Sequence, residues 1–374
     1  MRILFSCVGG PGHFLPLVPI LSAAGSAGHD VAVVSGPKVA DLVRRAGFEA
    51  LTEHDGAGDQ PRARGPLAPL DPERERGDMA DGFVRRAGRE RAARMLRHAA
   101  DWRPELIVCD EVDFGAMTAA ERLGLPYATV VVLAAGSFLR DDYLADALDE
   151  VRAEFGLPPA RAGAVLGRHL MLEPVPPGFR DPAFPLPSTG RPIRPAETLP
   201  PAAEPNARPL IYFTLGTEFN VESGDLFERV LAGLRTLAAD LVMTVGRHID
   251  PAVFGPQPPH VRIERFVPQE ELLHRCDLVV SHGGSGSVLG AIAHGLPMLV
   301  APMGADQPDN GARIAAIGLG RVLDAESVTP ERAATEAAAV LADARYRRTA
   351  RELRAAWETL PGPAETVRLL EGAL

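Results

Sequence analysis

Apolar residues in this chain fall in short runs separated by stretches of helical spacing. Residues 2–8 form a compact apolar run that ends in Gly9-Gly10-Pro11-Gly12. Residues 15–28 then place apolar side chains at helical spacing, and 31–34 form a second run. Two more runs, 106–109 and 127–133, flank a helical pattern at 115–123. Short apolar runs alternating with helices predict a parallel sheet covered on both faces. The stretch 173–209 breaks this rhythm with Pro-Val-Pro-Pro, Pro-Leu-Pro and Leu-Pro-Pro. That is too much proline for a helix or a central strand, so most of it reads as an interdomain linker. The pattern then restarts, with strands predicted at 210–215, 241–245, 261–266, 278–281 and 298–301 and helices at 226–239, 287–294 and 307–317. The fold class is α/β, with two doubly wound domains. Residues 55–78 are polar and rich in Gly, Pro and charge, and read as a mobile surface loop.

Composition narrows the class. The 374 residues are 46% hydrophobic and 24% charged, ordinary for a globular protein of about two domains. Net charge is −10 with no basic tract, which argues against a nucleic-acid partner. No apolar stretch reaches the ~18 residues of a membrane span. The first residues lack the charged start and small-residue cleavage site of a secretory leader, so none is expected. Cys7, Cys109 and Cys276 lie far apart, giving neither a disulfide framework nor a metal spacing. The expectation is a cytoplasmic enzyme. The sequence leaves oligomeric state open, a homodimer included.

Open α/β sheets bind ligands beyond the carboxyl ends of their strands, so the loops there carry the candidate chemistry. Ser281-His282-Gly283-Gly284-Ser285-Gly286-Ser287 lies between a strand and a helix. Its glycines admit a ligand to the backbone, and the helix start offers unpaired N–H groups, an anion cradle without lysine. A tight turn without a ligand is the alternative. Phe266-Val267-Pro268-Gln269 offers an aromatic face, unless Phe266 is a core residue. Asp306 and Gln307 put a carboxylate and an amide at the next strand end, with Asn310 a turn further on, unless Asp306 is only a helix N-cap. In the first half, Gly12-His13 follows the first strand. Histidine titrates near neutrality and suits a general base, although a structural histidine is the alternative. Asp110-Glu111-Val112-Asp113 is not the Asp-x-Asp of metal-dependent transferases, and no metal is expected. Met79, Phe83, Phe138, Leu139 and Tyr143 could line an apolar pocket or simply pack the core.

Residues 266–311, FVPQEELLHRCDLVVSHGGSGSVLGAIAHGLPMLVAPMGADQPDNG, resemble the donor-binding signature of the UDP-glycosyltransferase superfamily, in particular its actinobacterial antibiotic and natural-product branch. Weaker resemblance covers most of the chain, including the Gly12-His13 turn and residues 215–217. It implies the GT-B fold: two Rossmann-like domains facing a cleft, and inversion at the anomeric carbon without a metal. Residues 1–200 would bind the acceptor and 208–357 the donor, with a helix at 358–374 packing back onto the first domain. His282, Gly284, Ser285, Gly286 and Ser287 would hold the diphosphate, with Thr217 approaching from the facing loop. Asp306 and Gln307 would hold sugar hydroxyls. Phe266 would stack on the base, Val267 would meet it through its backbone, and Gln269 belongs to the same donor set. His13 would be the base and Asp110 its partner, with Asp113 a rival. Met79, Phe83, Phe138 and Tyr143 are the acceptor-site candidates. No cofactor is implied beyond a dTDP-sugar or UDP-sugar co-substrate. Two departures stand out. Phe266 occupies a position that is usually Trp. Gly290 stands eight residues after the signature histidine, where members using uridine donors often carry a ribose-gripping Glu. The second departure favours a deoxyribose donor such as a dTDP-sugar.

Other classes fit less well. A nicotinamide enzyme needs G-x-G-x-x-G, and Pro11 spoils that turn. A serine hydrolase needs G-x-S-x-G, and the residue after Gly286 is Ser287 with no such elbow. A non-catalytic nucleotide-sugar-binding helper and a sugar-nucleotide epimerase of the same fold remain as alternatives. The expected function is an inverting, metal-independent transfer of a (deoxy)sugar to a hydrophobic natural product.

Overall fold

The computed structural model describes residues 1–52 and 63–373. The first domain is built on a seven-stranded parallel sheet in the order β3-β2-β1-β4-β5-β6-β7. Its strands are β1 (Arg2–Ser6), β2 (Asp30–Val34), β3 (Glu49–Leu51), β4 (Leu106–Asp110), β5 (Tyr127–Val130), β6 (Leu170–Glu173) and β7 (Gly190–Pro192). The second domain has six strands in the order β10-β9-β8-β11-β12-β13. These are β8 (Leu210–Thr214), β9 (Asp240–Thr244), β10 (Val261–Glu264), β11 (Leu278–Ser281), β12 (Met298–Val300) and β13 (Gly320–Val322). Ile3, Leu4 and Phe5 are fully buried between helices on both faces, which is why β1 reads as an unbroken apolar run.

In each sheet the strand order reverses once, between β1 and β4 in the first and between β8 and β11 in the second. The registers are Ser6↔Cys109 and Thr214↔Ser281. At such a reversal the loops diverge to opposite faces and leave a crevice. The loops after β1, β4, β8 and β11 all open there.

Several expectations need correction. The proline-rich stretch 173–209 is not all linker, because Gly190–Pro192 adds β7 to the edge of the first sheet. An edge strand tolerates proline. β3, β6 and β13 were not expected, being only three or four residues each, too short to show a pattern. The helix expected at 287–294 starts earlier, at Ser285.

The supposed mobile loop at 55–78 is largely a strap. Its residues 55–62 lie outside the described residues. From Arg64 onward the chain lies against the second domain. Arg64 makes two bonds to Glu228 at 2.6 and 2.5 Å. Gly65 N donates to Val221 O at 2.6 Å, and Leu70 N to Glu326 Oε1 at 3.0 Å. A helix, Pro72–Gly77, follows, capped by Asp71. It was missed because PERERG has no apolar face. It runs into a π-helical stretch, Asp78–Ala87.

The last helix, Pro363–Glu371, packs on Val18–Ser26 of the first domain. Its Val367 and Leu370 join the core that holds Ile3 and Phe5.

Candidate active site

His13 sits in a short helix, Pro11–Phe14, just past β1. Gly9 makes room for it. Its φ is +73°, and a Cβ there would lie 2.9 Å from the His13 ring. The ring's Nδ1 points to Asp110, 3.7 Å from Oδ2. Asp110 is fully buried at the end of β4 and fixed on both oxygens: Val8 N donates to Oδ2 at 2.8 Å and Val112 N to Oδ1 at 2.9 Å. At 3.7 Å the pair is an ion-pair contact rather than a hydrogen bond, and His13 Nδ1 has no other partner. Catalytic contacts of this kind often tighten only when substrate binds. Burial alone would lower the His13 pKa. The Asp110 carboxylate, with Asp306 and Glu111 further off, outweighs burial and raises it above the usual value. Asp113 is engaged elsewhere. It accepts from Ser6 Oγ at 2.6 Å and from the buried Arg91 at 2.9 Å, beneath the site.

His282 lies past β11 on the opposite wall. It is under a tenth exposed, and its Nδ1 is buried without a partner. Gly216, at φ +76°, lies over the ring, and a Cβ there would be 2.7 Å away. No carboxylate compensates for burial, so the His282 pKa falls to about 4 and the ring is neutral. The helix Ser285–Ala293 begins beside it with no side-chain cap. A Cβ at Gly286 would meet nothing within 4 Å, so space opens at the helix end. The arrangement offers backbone N–H groups and one imidazole to an anion.

Other predicted donor residues fall around this point with amended roles. The Ser285 hydroxyl is already engaged, donating to Asp306 Oδ2 at 2.6 Å and accepting from Ala134 N of the first domain at 2.7 Å. What it leaves for an anion is its N–H. Ser287 is buried and its N–H is bonded to Gly284 O, so it is not at the anion end. Asp306 also accepts from Asn310 Nδ2 at 2.8 Å, and burial raises its pKa against these two bonds. Gln307 is buried, and its Oε1 accepts from Met303 N at 2.8 Å, so that oxygen shapes the loop instead of facing a sugar. Thr217 is exposed on the facing loop. Phe266 is 71% exposed, which removes the core reading and leaves its ring free to stack. Val267 is half-buried against the core behind it. Gln269 stands over Gly290: a Cβ there would lie 3.1 Å from Gln269 Oε1 and 3.3 Å from Leu273.

The two walls are close. A Cβ at Gly10 would lie 3.1 Å from Glu218 Oε1 of the second domain. Ala135 N donates to Asn310 Oδ1 at 3.0 Å, and Ser137 Oγ to Asp309 Oδ2 at 2.8 Å. Glu75, on the strap, reaches the loop before Asp306 and accepts from Ala305 N at 2.9 Å. Ala305 has φ +51°, which costs a residue with a side chain about 1 kcal/mol or more and needs such support. Among the described residues, no three of His, Cys, Asp and Glu converge as a metal site.

A cavity of about 440 Å³ opens past β4, β5 and β6, with Leu133, Phe138 and Leu139 among its apolar walls. Of the acceptor candidates, Phe138 lines it. Met79 does not, because its side chain is buried in the first-domain core. Tyr143 braces Phe138 by donating to its carbonyl. Phe83 stacks near His13 at 6.4 Å. Sequence reasoning missed Glu111 and Arg180, which also line the cavity, and Glu75. Glu111 directly follows Asp110 at a strand end, and that placement was the available signal.

Two parallel sheets facing a cleft, with a histidine–aspartate pair on one wall and an uncapped helix on the other, define a GT-B glycosyltransferase. The profile described as "Erythromycin biosynthesis protein CIII-like, C-terminal domain" matches residues 228–373. The chain is 31% identical to the elloramycin glycosyltransferase of Streptomyces olivaceus, covering 100% of this chain and 97% of that one. It is 30% identical to the tylactone mycaminosyltransferase of Streptomyces fradiae, covering 99% and 92%. A spinosyn rhamnosyltransferase solved with thymidine diphosphate superposes with a TM-score of 0.81 at 25% identity, covering 99% of this chain and 100% of that one. The chain belongs to the actinobacterial antibiotic glycosyltransferases. It is therefore an enzyme that transfers sugar, and the helper and epimerase readings fall away. No helix among the described residues is long and apolar enough to cross a membrane.

Proposed function

We propose that this enzyme is an inverting, metal-independent transferase that moves a deoxysugar from a dTDP donor to a hydroxyl of a hydrophobic natural-product aglycone. The observation that carries this is the opposition of His13, backed by Asp110, to the uncapped helix at Ser285 across one cleft. Asp110 holds the Nδ1–H tautomer, leaving Nε2 to accept a proton. The acceptor hydroxyl gives that proton to Nε2 as its oxygen attacks the anomeric carbon. The bond to the diphosphate breaks on the opposite face, and its electron pair leaves with the diphosphate oxygen. A single displacement inverts the centre. Developing charge on the leaving group meets the helix N–H groups and the neutral His282, the place a metal would otherwise serve. Aglycone and deoxysugar are supported by the relatives, whose names include a tylactone mycaminosyltransferase and a structure holding thymidine diphosphate.

Donor choice rests on Gly290, which puts no carboxylate on the ribose. Calorimetry should find dTDP bound at least as tightly as UDP, with activity unchanged by chelator. A clear UDP preference would show that Gln269 or another group grips the 2′-hydroxyl. Activity lost to chelator and restored by magnesium would overturn metal independence.

A further inference from the structure

The 440 Å³ cavity has apolar walls in Leu133, Phe138, Met171 and Phe184, and charged side chains in Glu111, Arg140, Asp141 and Arg180. Glu111 and Arg180 do not belong to the displacement described above. Glu111 is 3% exposed, the residue directly after Asp110. Its Oε1 accepts from both Val132 N and Leu133 N at 2.7 Å, which fixes the carboxyl against the loop after β5. With one oxygen committed twice, the other is what Glu111 offers to the cavity. Arg180 is not its ion-pair partner. That guanidinium bonds to Glu173 at 2.8 Å and to the Phe184 carbonyl at 2.6 Å, and it lies over Gly136. The Arg180 charge is felt at Glu111 from a distance, but its bonds go elsewhere, and a buried carboxyl oxygen costs free energy unless a ligand supplies a donor.

We propose that Glu111 is a specificity-determining residue of the acceptor site, recognising a hydrogen-bond donor on the aglycone, a second hydroxyl or an amine, distinct from the hydroxyl that is glycosylated. This rests on the reading that the first domain binds the acceptor. The reacting hydroxyl goes to His13, while the ring system fills the apolar walls and its second polar group reaches Glu111. The substrate class is thus a hydrophobic polyol or amino-alcohol rather than a simple monohydroxy compound. Burial, with the neighbouring Asp110 carboxylate, raises the Glu111 pKa to about 7, against the two backbone bonds and the Arg180 charge that lower it. The carboxylate that accepts from such a donor is therefore lost as pH falls below neutrality.

The test is glycosylation of a panel of macrolactones and anthraquinones by the unmodified enzyme and by Glu111→Gln. Each scaffold is present as a diol, an amino-alcohol, a mono-ol lacking the second group, and a keto-alcohol carrying a carbonyl there. Gln can keep both backbone bonds through its own Oε1, so the loop is retained, but it turns an N–H donor to the cavity. The unmodified enzyme should favour the diol or the amino-alcohol over the mono-ol by about tenfold or more in kcat/KM, carried in KM. Comparison of those two arms tells hydroxyl from amine. Glu111→Gln should lose that preference and gain on the keto-alcohol. KM for the favoured acceptor should rise as pH drops through about 7 in the unmodified enzyme and stay flat in Glu111→Gln. Equal use of mono-ol and diol, or a preference unchanged in Glu111→Gln, overturns the proposal while leaving the acceptor reading intact. No product from any scaffold, with dTDP still bound, overturns the acceptor reading and this proposal with it.

Discussion

His13 and His282 face one another across the cleft, each beside the point where its sheet reverses and each with its ring against a positive-φ glycine. Their electrostatics are opposite. His13 is surrounded by carboxylates from both domains and is more basic than a free histidine. His282 has none near and is held neutral by burial. The same residue type is thus more basic than usual on one wall and held neutral on the other. The difference comes from neighbours: Asp110 behind one ring, an aromatic ring, Phe219, beside the other.

The strongest way to break this comparison is His13→Ala. Turnover with a hydroxyl acceptor should fall by about 10²–10⁴, the usual worth of a general base, with dTDP affinity little changed. Near-normal turnover would remove His13 from the reaction. The rate should also climb with pH through the raised His13 pKa, since only the neutral ring accepts a proton.

His282→Ala should act on binding. Loss of a hydrogen bond to a charged group should weaken dTDP by about 1.5–3 kcal/mol, roughly 10- to 150-fold by calorimetry. The two rings also bear oppositely on stability. The folded pKa of His282 lies below its unfolded value of 6.5, so its contribution is lost as pH falls from there through about 4. The folded pKa of His13 is raised, so its contribution is full at low pH and is lost as pH rises through that value. Thermal melts of the two alanine variants, run from a pH of about 4 to above the raised His13 pKa, should depart from the parent with opposite slopes in pH.

Glu75→Ala should have the smallest effect. It removes the acceptor that steadies the turn at Ala305, and so the placing of Asp306. KM for the sugar donor should rise by roughly three- to tenfold, about the net worth of one ordinary hydrogen bond, with free dTDP bound as before. An equal loss in dTDP affinity would show that the strap supports the whole donor domain rather than the sugar loop.

The legible parts were those written in local pattern. The buried strands β1, β4, β8 and β11 announce themselves as apolar runs, and His13, His282 and Asp306 sit in the loops that follow strand ends. The strap was illegible because its bonds run from polar residues to partners far along the chain, such as Leu70 to Glu326 and Glu75 to Ala305. A polar, glycine-rich stretch looks the same whether it waves in solvent or is tied down. Met79 misled for the converse reason: an apolar residue near a cleft carries no mark of which way it faces. Gln307 and Ser285 lie in the loops where donor residues were expected, but the Gln307 oxygen and the Ser285 hydroxyl are committed to holding those loops, an allocation that only the hydrogen bonds reveal.

The chain passes from its first half to its second after β7 and returns near Trp357, whose indole donates to the Ile193 carbonyl at 3.1 Å. Its final helix then fills a groove on the first half. The sequence profile that matches this chain, 228–373, nevertheless includes that helix. Anyone assembling hybrid enzymes by cutting at the profile boundary would carry a foreign wall into the first domain, with Val367 and Leu370 replaced under the sheet. The natural unit of exchange is discontinuous: the first domain together with the helix Pro363–Glu371.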